Sequence, residues 1–158
     1  MIVERIMTRD VACCEPNATL QEAVKLMTDC DCGLIPVVEN DVIVGVVTDR
    51  DAALAACERN ARLSEIRVGD VMSTHVRVCH PNDEVASVEQ QMQLFKVRRI
   101  PVVDDDKRVI GMVSLDDVAM AADRGQDKPG FPTAAEVAHT LATICRPEKT
   151  SEAVEIGA

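Results

Sequence analysis

The 158-residue chain has no tryptophan, no tyrosine and only two phenylalanines. It therefore lacks the aromatic platforms on which single-stranded nucleic acids stack. Its core has to be assembled from Val, Ile, Leu, Met and Ala. Positive charge is scarce as well, with 17 Lys and Arg against 27 Asp and Glu and a formal net charge of −10. A phosphate backbone or an anionic membrane surface calls for clustered cations, so neither nucleic acid nor membrane is an expected partner. No apolar run approaches the roughly 20 residues of a membrane-crossing helix. Glu4 and Arg5 interrupt the apolar start, so no signal peptide is expected and the expected location is cytoplasmic. There is no Gly-x-x-x-x-Gly-Lys-Ser/Thr phosphate loop and no Cys-x-x-Cys pair.

The cysteines Cys13, Cys14, Cys30, Cys32, Cys57, Cys79 and Cys145 are odd in number and follow no disulfide framework. In a reducing compartment they read as small apolar side chains. No spacing signals a zinc site, and nothing signals a Cys–His nucleophile with an oxyanion site. The expectation is a binding module rather than an enzyme, with no catalytic residue, no metal and no required cofactor.

What the sequence does contain is itself, twice. "IMTRDVACCEPNATLQEAVKLM" begins at Ile6 and "VMSTHVRVCHPNDEVASVEQQM" at Val71, 65 residues later. At that offset Met7 matches Met72, Cys14 matches Cys79, Pro16 matches Pro81 and Met27 matches Met92. "LIPVVEND" matches "RIPVVDDD", and one inserted residue then moves the offset to 66. Gly45-Val46-Val47-Thr48 falls on Gly111-Met112-Val113-Ser114, and Asp51 on Asp117. Identities in this order point to duplication.

Each copy carries a short apolar strand (Val11 to Cys14; Val76 to Cys79) and a Pro-Asn turn. A helix follows from near Thr19 or Asp83, with Leu20, Ala23, Val24 and Met27 on one face. Ile35 to Val38 and Val42 to Val47 flank the polar turn Glu39-Asn40-Asp41, which predicts a hairpin. A second helix starts at Thr48 or Ser114. The expected organisation is residues 1–66, 67–124 and a 125–158 tail with a breaker-rich linker. Thr133 to Glu136 opens an amphipathic helix over 133–145 that carries Val137, Leu141 and Ile144, and the polar end beyond Pro147 is expected to fray. That tail helix is a candidate dimer contact or output surface.

Thr48/Asp51 and Ser114/Asp117 each place a hydroxyl three residues before a carboxylate at a helix start. This spacing makes a capping box. It also suits a ligand, because a helix N-terminus offers unpaired N–H groups and a partial positive charge. A carboxylate can accept hydrogen bonds from vicinal ribose hydroxyls, and guanidinium groups match phosphate. The recurrence of both pairs in matching Gly-h-Val contexts (h, apolar) favours the ligand role, and the cap is compatible with it.

Ile/Val-Met-Thr/Ser, x-Ile-Pro-Val-Val and Gly-h-Val-Thr/Ser-x-x-Asp, each present twice, resemble the cystathionine-β-synthase-type (CBS) domain over residues 1–124. "VVTDRD" with "VRRIPVV" looks like the small stand-alone bacterial CBS-pair proteins, hypoxia-response proteins among them. The resemblance implies an α/β (α+β) fold of two β-α-β-β-α repeats packed with pseudo-twofold symmetry, a Bateman module, plus the C-terminal helix. It implies a regulatory, signal-transducing homodimer that binds AMP, ADP, ATP, S-adenosylmethionine or NAD in two clefts and acts on an unidentified target protein. Carried over by position, cleft one would combine Thr48 and Asp51 with Ser73, Val76, Arg98 and Arg99. Cleft two would combine Ser114 and Asp117 with Thr8, Val11, Gly33 and Leu34. Basic residues at the positions of Arg98 and Arg99 contact phosphates in the family, so cleft one is the expected site of a phosphorylated ligand. Strand alternation lets only one of the two arginines point straight into a cleft. The rival classes are a ligand-free dimerisation or interaction module and a thiol or metal sensor.

Overall fold

The computed structural model describes residues 1–126 and 128–147. The polar end expected to fray lies outside them. Helix α1 (Leu20–Asp29) begins on a full capping box, in which the Glu22 N–H donates to Thr19 Oγ1 at 3.2 Å and the Thr19 N–H to Glu22 Oε2 at 2.7 Å. Its Leu20, Ala23 and Met27 face inward. Strands β1 (Leu34–Glu39) and β2 (Val42–Thr48) form an antiparallel hairpin. Its two-residue turn holds Asn40 and Asp41 at φ 51° and 67°, the left-handed pair that suits the twist of such a hairpin. Helix α2 (Asp49–Arg59) follows.

The second copy repeats the order with α3 (Val85–Phe95), β3 (Arg99–Val103), β4 (Val109–Ser114) and α4 (Leu115–Gly125). The fold is thus mixed α and β, with two small antiparallel sheets.

The strands expected at Val11 to Cys14 and Val76 to Cys79 are reduced to one paired residue each. The Cys14 N–H donates to Pro36 O at 3.1 Å and Cys14 O accepts from Val38 N at 2.9 Å, while Cys79 does the same with Pro101 and Val103. Pairing does not continue past them toward the C-terminus, because Pro16 and Pro81, two residues on, have no N–H to donate to the ladder. Val11 and Val76 are left unpaired and half-buried.

The packing units do not follow the sequence repeats. Ile66 and Val68 are buried with Leu20, Ile35, Val37 and Val47, so the segment after α2 closes the first core. Val3 and Met7 are buried with Val88, Met92, Ile100 and Val102, so the N-terminal segment closes the second. A fully buried aliphatic side chain contributes about 1.5–3 kcal/mol, which makes these exchanged segments integral to each half. The halves meet symmetrically. Thr8 exchanges backbone hydrogen bonds with Met112 at 2.9 Å in both directions, and Ser73 exchanges them with Val46 at 2.9 and 3.0 Å.

Helix α5 (Ala134–Cys145) packs on α3 and α4. Val137 and Ile144, expected in an exposed apolar stripe, instead lie against the second core, and only Leu141 stays exposed, at 43%. The fully buried residue of α5 is Thr140, whose hydroxyl accepts from Gln93 Nε2 at 2.7 Å and donates to Glu89 Oε1 at 3.2 Å. Among the described residues no helix is long and apolar enough to cross a membrane.

Candidate ligand-binding clefts

Both hydroxyl–carboxylate pairs form complete capping boxes. Ser114 Oγ donates to Asp117 Oδ2 at 2.6 Å and accepts from the Asp117 N–H at 3.1 Å, while the Ser114 N–H donates to Oδ2 at 2.8 Å. Thr48 and Asp51 repeat this at 2.7, 3.1 and 2.9 Å. Only Oδ2 of each carboxylate is engaged in these bonds, so Oδ1 is left to accept from something else. The cap fixes the rotamer of each Asp without consuming it.

The glycine of each Gly-h-Val-Thr/Ser motif sets how close the neighbouring segment comes. A Cβ on Gly111 would stand 3.0 Å from Thr8 O and 2.9 Å from Met7 Sδ. On Gly45 it would stand 3.1 Å from Ser73 O and 2.6 Å from Met72 Sδ. Absence of a side chain is what lets Thr8 pair with β4 beside Ser114, and Ser73 with β2 near Thr48.

A cavity of about 270 Å³ brings together Thr8, Val11, Leu34, Ser114 and Asp117 with Arg99. Five of the six residues grouped as cleft two thus share one hollow built from both halves. Gly33 lines the adjoining depression with Asp31, Cys32, Asp49 and Arg99. Arg99, expected with Thr48 and Asp51, lines this hollow and also the adjoining one, where it lies with Asp49 at the start of α2. Arg99 is the direct antiparallel partner of Ser114, because β3 and β4 belong to the same hairpin, and its guanidinium reaches Asp116 at 3.8 Å. Arg98, on the other side of the chain, donates from Nη2 to Cys145 Sγ at 3.3 Å and serves α5 instead. Asp51 lines a separate polar hollow of about 260 Å³ with Leu54, Arg59 and Asp70. Ser73 is exposed and Val76 half-buried.

The structure adds residues to cleft two that motif reading did not select: Asp10, Asp31, Cys30, Cys32, Asp116 and Met112. Asp10 and Asp31 take left-handed backbone conformations, φ 56° and 49°, that Asp tolerates better than most residues. The one sequence signal for them is their position in short polar turns beside the matched segments.

Burial pushes the Cys14 thiol up to about 11 and the Cys79 thiol up to about 12, which disfavours the thiolate a nucleophile or metal ligand needs. Among the described residues no three His, Cys, Asp or Glu side chains gather as a metal site.

Comparison with known proteins fits this geometry. The chain matches the CBS domain twice, over residues 3–58 and 68–124, and belongs to that family. The CBS domain-containing protein YhcV of Bacillus subtilis is 40% identical over 118 residues, 75% of this chain and 83% of that protein. The chain also aligns with homoserine O-acetyltransferase of Methanococcus vannielii at 30% identity, but there it spans only 24% of the relative's length. Among solved structures, the CBS pair of MJ0100 with 5′-methylthioadenosine and S-adenosyl-L-methionine superposes at TM-score 0.70 and 25% identity, covering 81% of this chain and 98% of that one. CBSX2 in complex with AMP gives 0.68 and 27%, covering 79% and 98%. Hypoxic Response Protein I with two coordinated zinc ions gives 0.69 and 25%, covering 76% and 98%. The chain is a tandem CBS pair with no catalytic domain among its described residues.

Proposed function

We propose that this CBS pair is a regulatory module that binds an adenosine-containing ligand in the cleft of Thr8, Val11, Leu34, Ser114, Asp117 and Arg99. The observation that carries the reading is the meeting, in one cavity made by both halves, of a carboxylate locked by its own helix cap and a guanidinium one strand away. Asp117 Oδ1 accepts from ribose hydroxyls, Ser114 and the start of α4 face the 5′ substituent, and Val11, Leu34 and Met112 offer apolar surface to the base. The pseudo-equivalent place at Thr48, Asp51, Ser73 and Val76 is the second and weaker site, since the arginine beside Asp51, Arg59, is held by Asp70. Adenosine-type ligands on the related CBS pairs support this choice of ligand class.

Because the ligand touches both halves, its occupancy shifts their relative packing, and a cytoplasmic homodimer passes that shift to a target protein. A thermal melt of the full chain with AMP or 5′-methylthioadenosine tests the reading. A ligand at about 100 times its Kd adds about 2.7 kcal/mol, so Tm should rise with at least one of them. An unchanged Tm with both at about 1 mM would remove the adenosine reading and leave the ligand-free interaction module.

A further inference from the structure

The perimeter of the Ser114 cleft is dominated by one sign of charge. Asp10, Asp31, Asp116 and Asp117 line it, and Asp49 joins them in the depression that continues past Asp31 and Arg99. Among the described residues a single guanidinium stands against these five carboxylates, and Arg99 is already within ion-pair distance of Asp116 at 3.8 Å. Among the described residues neither lysine nor histidine lines either hollow.

The acidic groups come from separate elements. Asp10 follows the N-terminal segment, Asp31 ends the turn after α1, and Asp49 and Asp116 sit in the first turns of α2 and α4. They therefore reach the rim of the cavity from several elements, with Asp10, Asp31, Asp49 and Asp116 exposed to solvent. Ribose hydroxyls donate to carboxylates and are suited by such a perimeter. A polyphosphate brings several negative charges against it with one partner to meet them.

Resting on the adenosine reading above, we infer that this cleft selects adenosine derivatives carrying at most one phosphate, with neutral and cationic ones bound best and nucleoside triphosphates rejected. Arg99 can turn from Asp116 to a single phosphate. Among the described residues lining the two hollows it has no second cation to share a longer chain.

Calorimetric titration of the full chain with four probes of the same nucleoside tests this: 5′-methylthioadenosine, S-adenosylmethionine, AMP, and ATP in the presence of a chelator so that no divalent cation masks its charge. ATP is expected to bind at least about tenfold more weakly than 5′-methylthioadenosine, a difference of about 1.4 kcal/mol. The gap is expected to shrink between about 0.01 M and about 1 M salt, as the Debye length falls from about 30 Å to about 3 Å. The double substitution Asp31→Asn with Asp116→Asn is expected to narrow it at low salt. ATP binding as tightly as 5′-methylthioadenosine would overturn the charge selection while leaving the adenosine reading intact. Binding of AMP without either uncharged or cationic probe would overturn it in the same way. Absence of heat with all four would remove both.

Discussion

At the scale of single residues, Glu89 shows how much a buried charge depends on one neighbour. Its side chain on α3 is nearly enclosed, 5% exposed, and faces Thr140 and Glu136 of α5. Burial pushes its carboxyl above the ordinary carboxylate range, the Thr140 hydroxyl partly offsets this, and the nearby Glu136 adds to the rise. A raised value means that the folded state holds the proton more tightly than the unfolded one. The stability linked to this group is therefore complete below the unfolded value of about 4.3 and is lost as pH climbs through the folded value. Glu89→Gln keeps an acceptor for Thr140 and removes the charge. It is expected to raise Tm at pH 7 and to have little effect near pH 4. An equal shift at both pH values would show that folding does not raise the Glu89 carboxyl above its unfolded value. The opposite case sits nearby, where cap hydrogen bonds from Thr133 hold Glu136 below the usual range.

At the scale of elements, the close pairing of the N-terminal segment with β4 sets the width of the cleft. Gly111→Val would drive a branched side chain into Thr8 O, which is backbone and cannot swing aside, and into Met7 of the second core. Overpacking of this kind typically costs about 1–3 kcal/mol. A loss in that range in urea unfolding is expected, together with weaker ligand binding, because Thr8 is displaced from Ser114. Unchanged stability would mean that the segment is held loosely. Elements also explain which expectations held in the sequence. The helix starts at Thr19, Thr48, Ser114 and Thr133 were readable because each capping box is a local pattern of four residues. The first strands shrink to single bridges, because the β-branched residues Val11 and Val76 favour extended chain while pairing depends on a partner edge the sequence does not display.

The whole molecule holds what was least legible. The duplication disclosed two matched halves, but not that Val3 and Met7 would close the second core and Val68 the first. Nothing in a linear repeat marks such an exchange. The same gap hides that Arg99 is the register partner of Ser114 within one repeat and also shares a hollow with Asp49 of the other. Of the two adjacent arginines, Arg98 is directed to α5 while Arg99 lines the cleft. Docking of Val137 and Ile144 on the second core turns most of the apolar stripe of α5 inward. The proposed homodimer must then rest largely on other surfaces. Light scattering should give twice the 17.2 kDa chain mass, and a single-chain mass would contradict the dimer.

The ligand site itself is tested most directly by comparing its two symmetry-related carboxylates. Asp117→Ala and Asp51→Ala each destroy one capping box, so the loss of helix stability is matched between them and any difference in binding reports the cleft. In titrations with 5′-methylthioadenosine, Asp117→Ala is expected to weaken binding at least about tenfold, as a lost charge-assisted hydrogen bond of about 1.5–3 kcal/mol implies, while Asp51→Ala stays within about threefold of the parent. Equal losses, or a larger loss at Asp51, would contradict the assignment of the ligand to the Ser114 cleft.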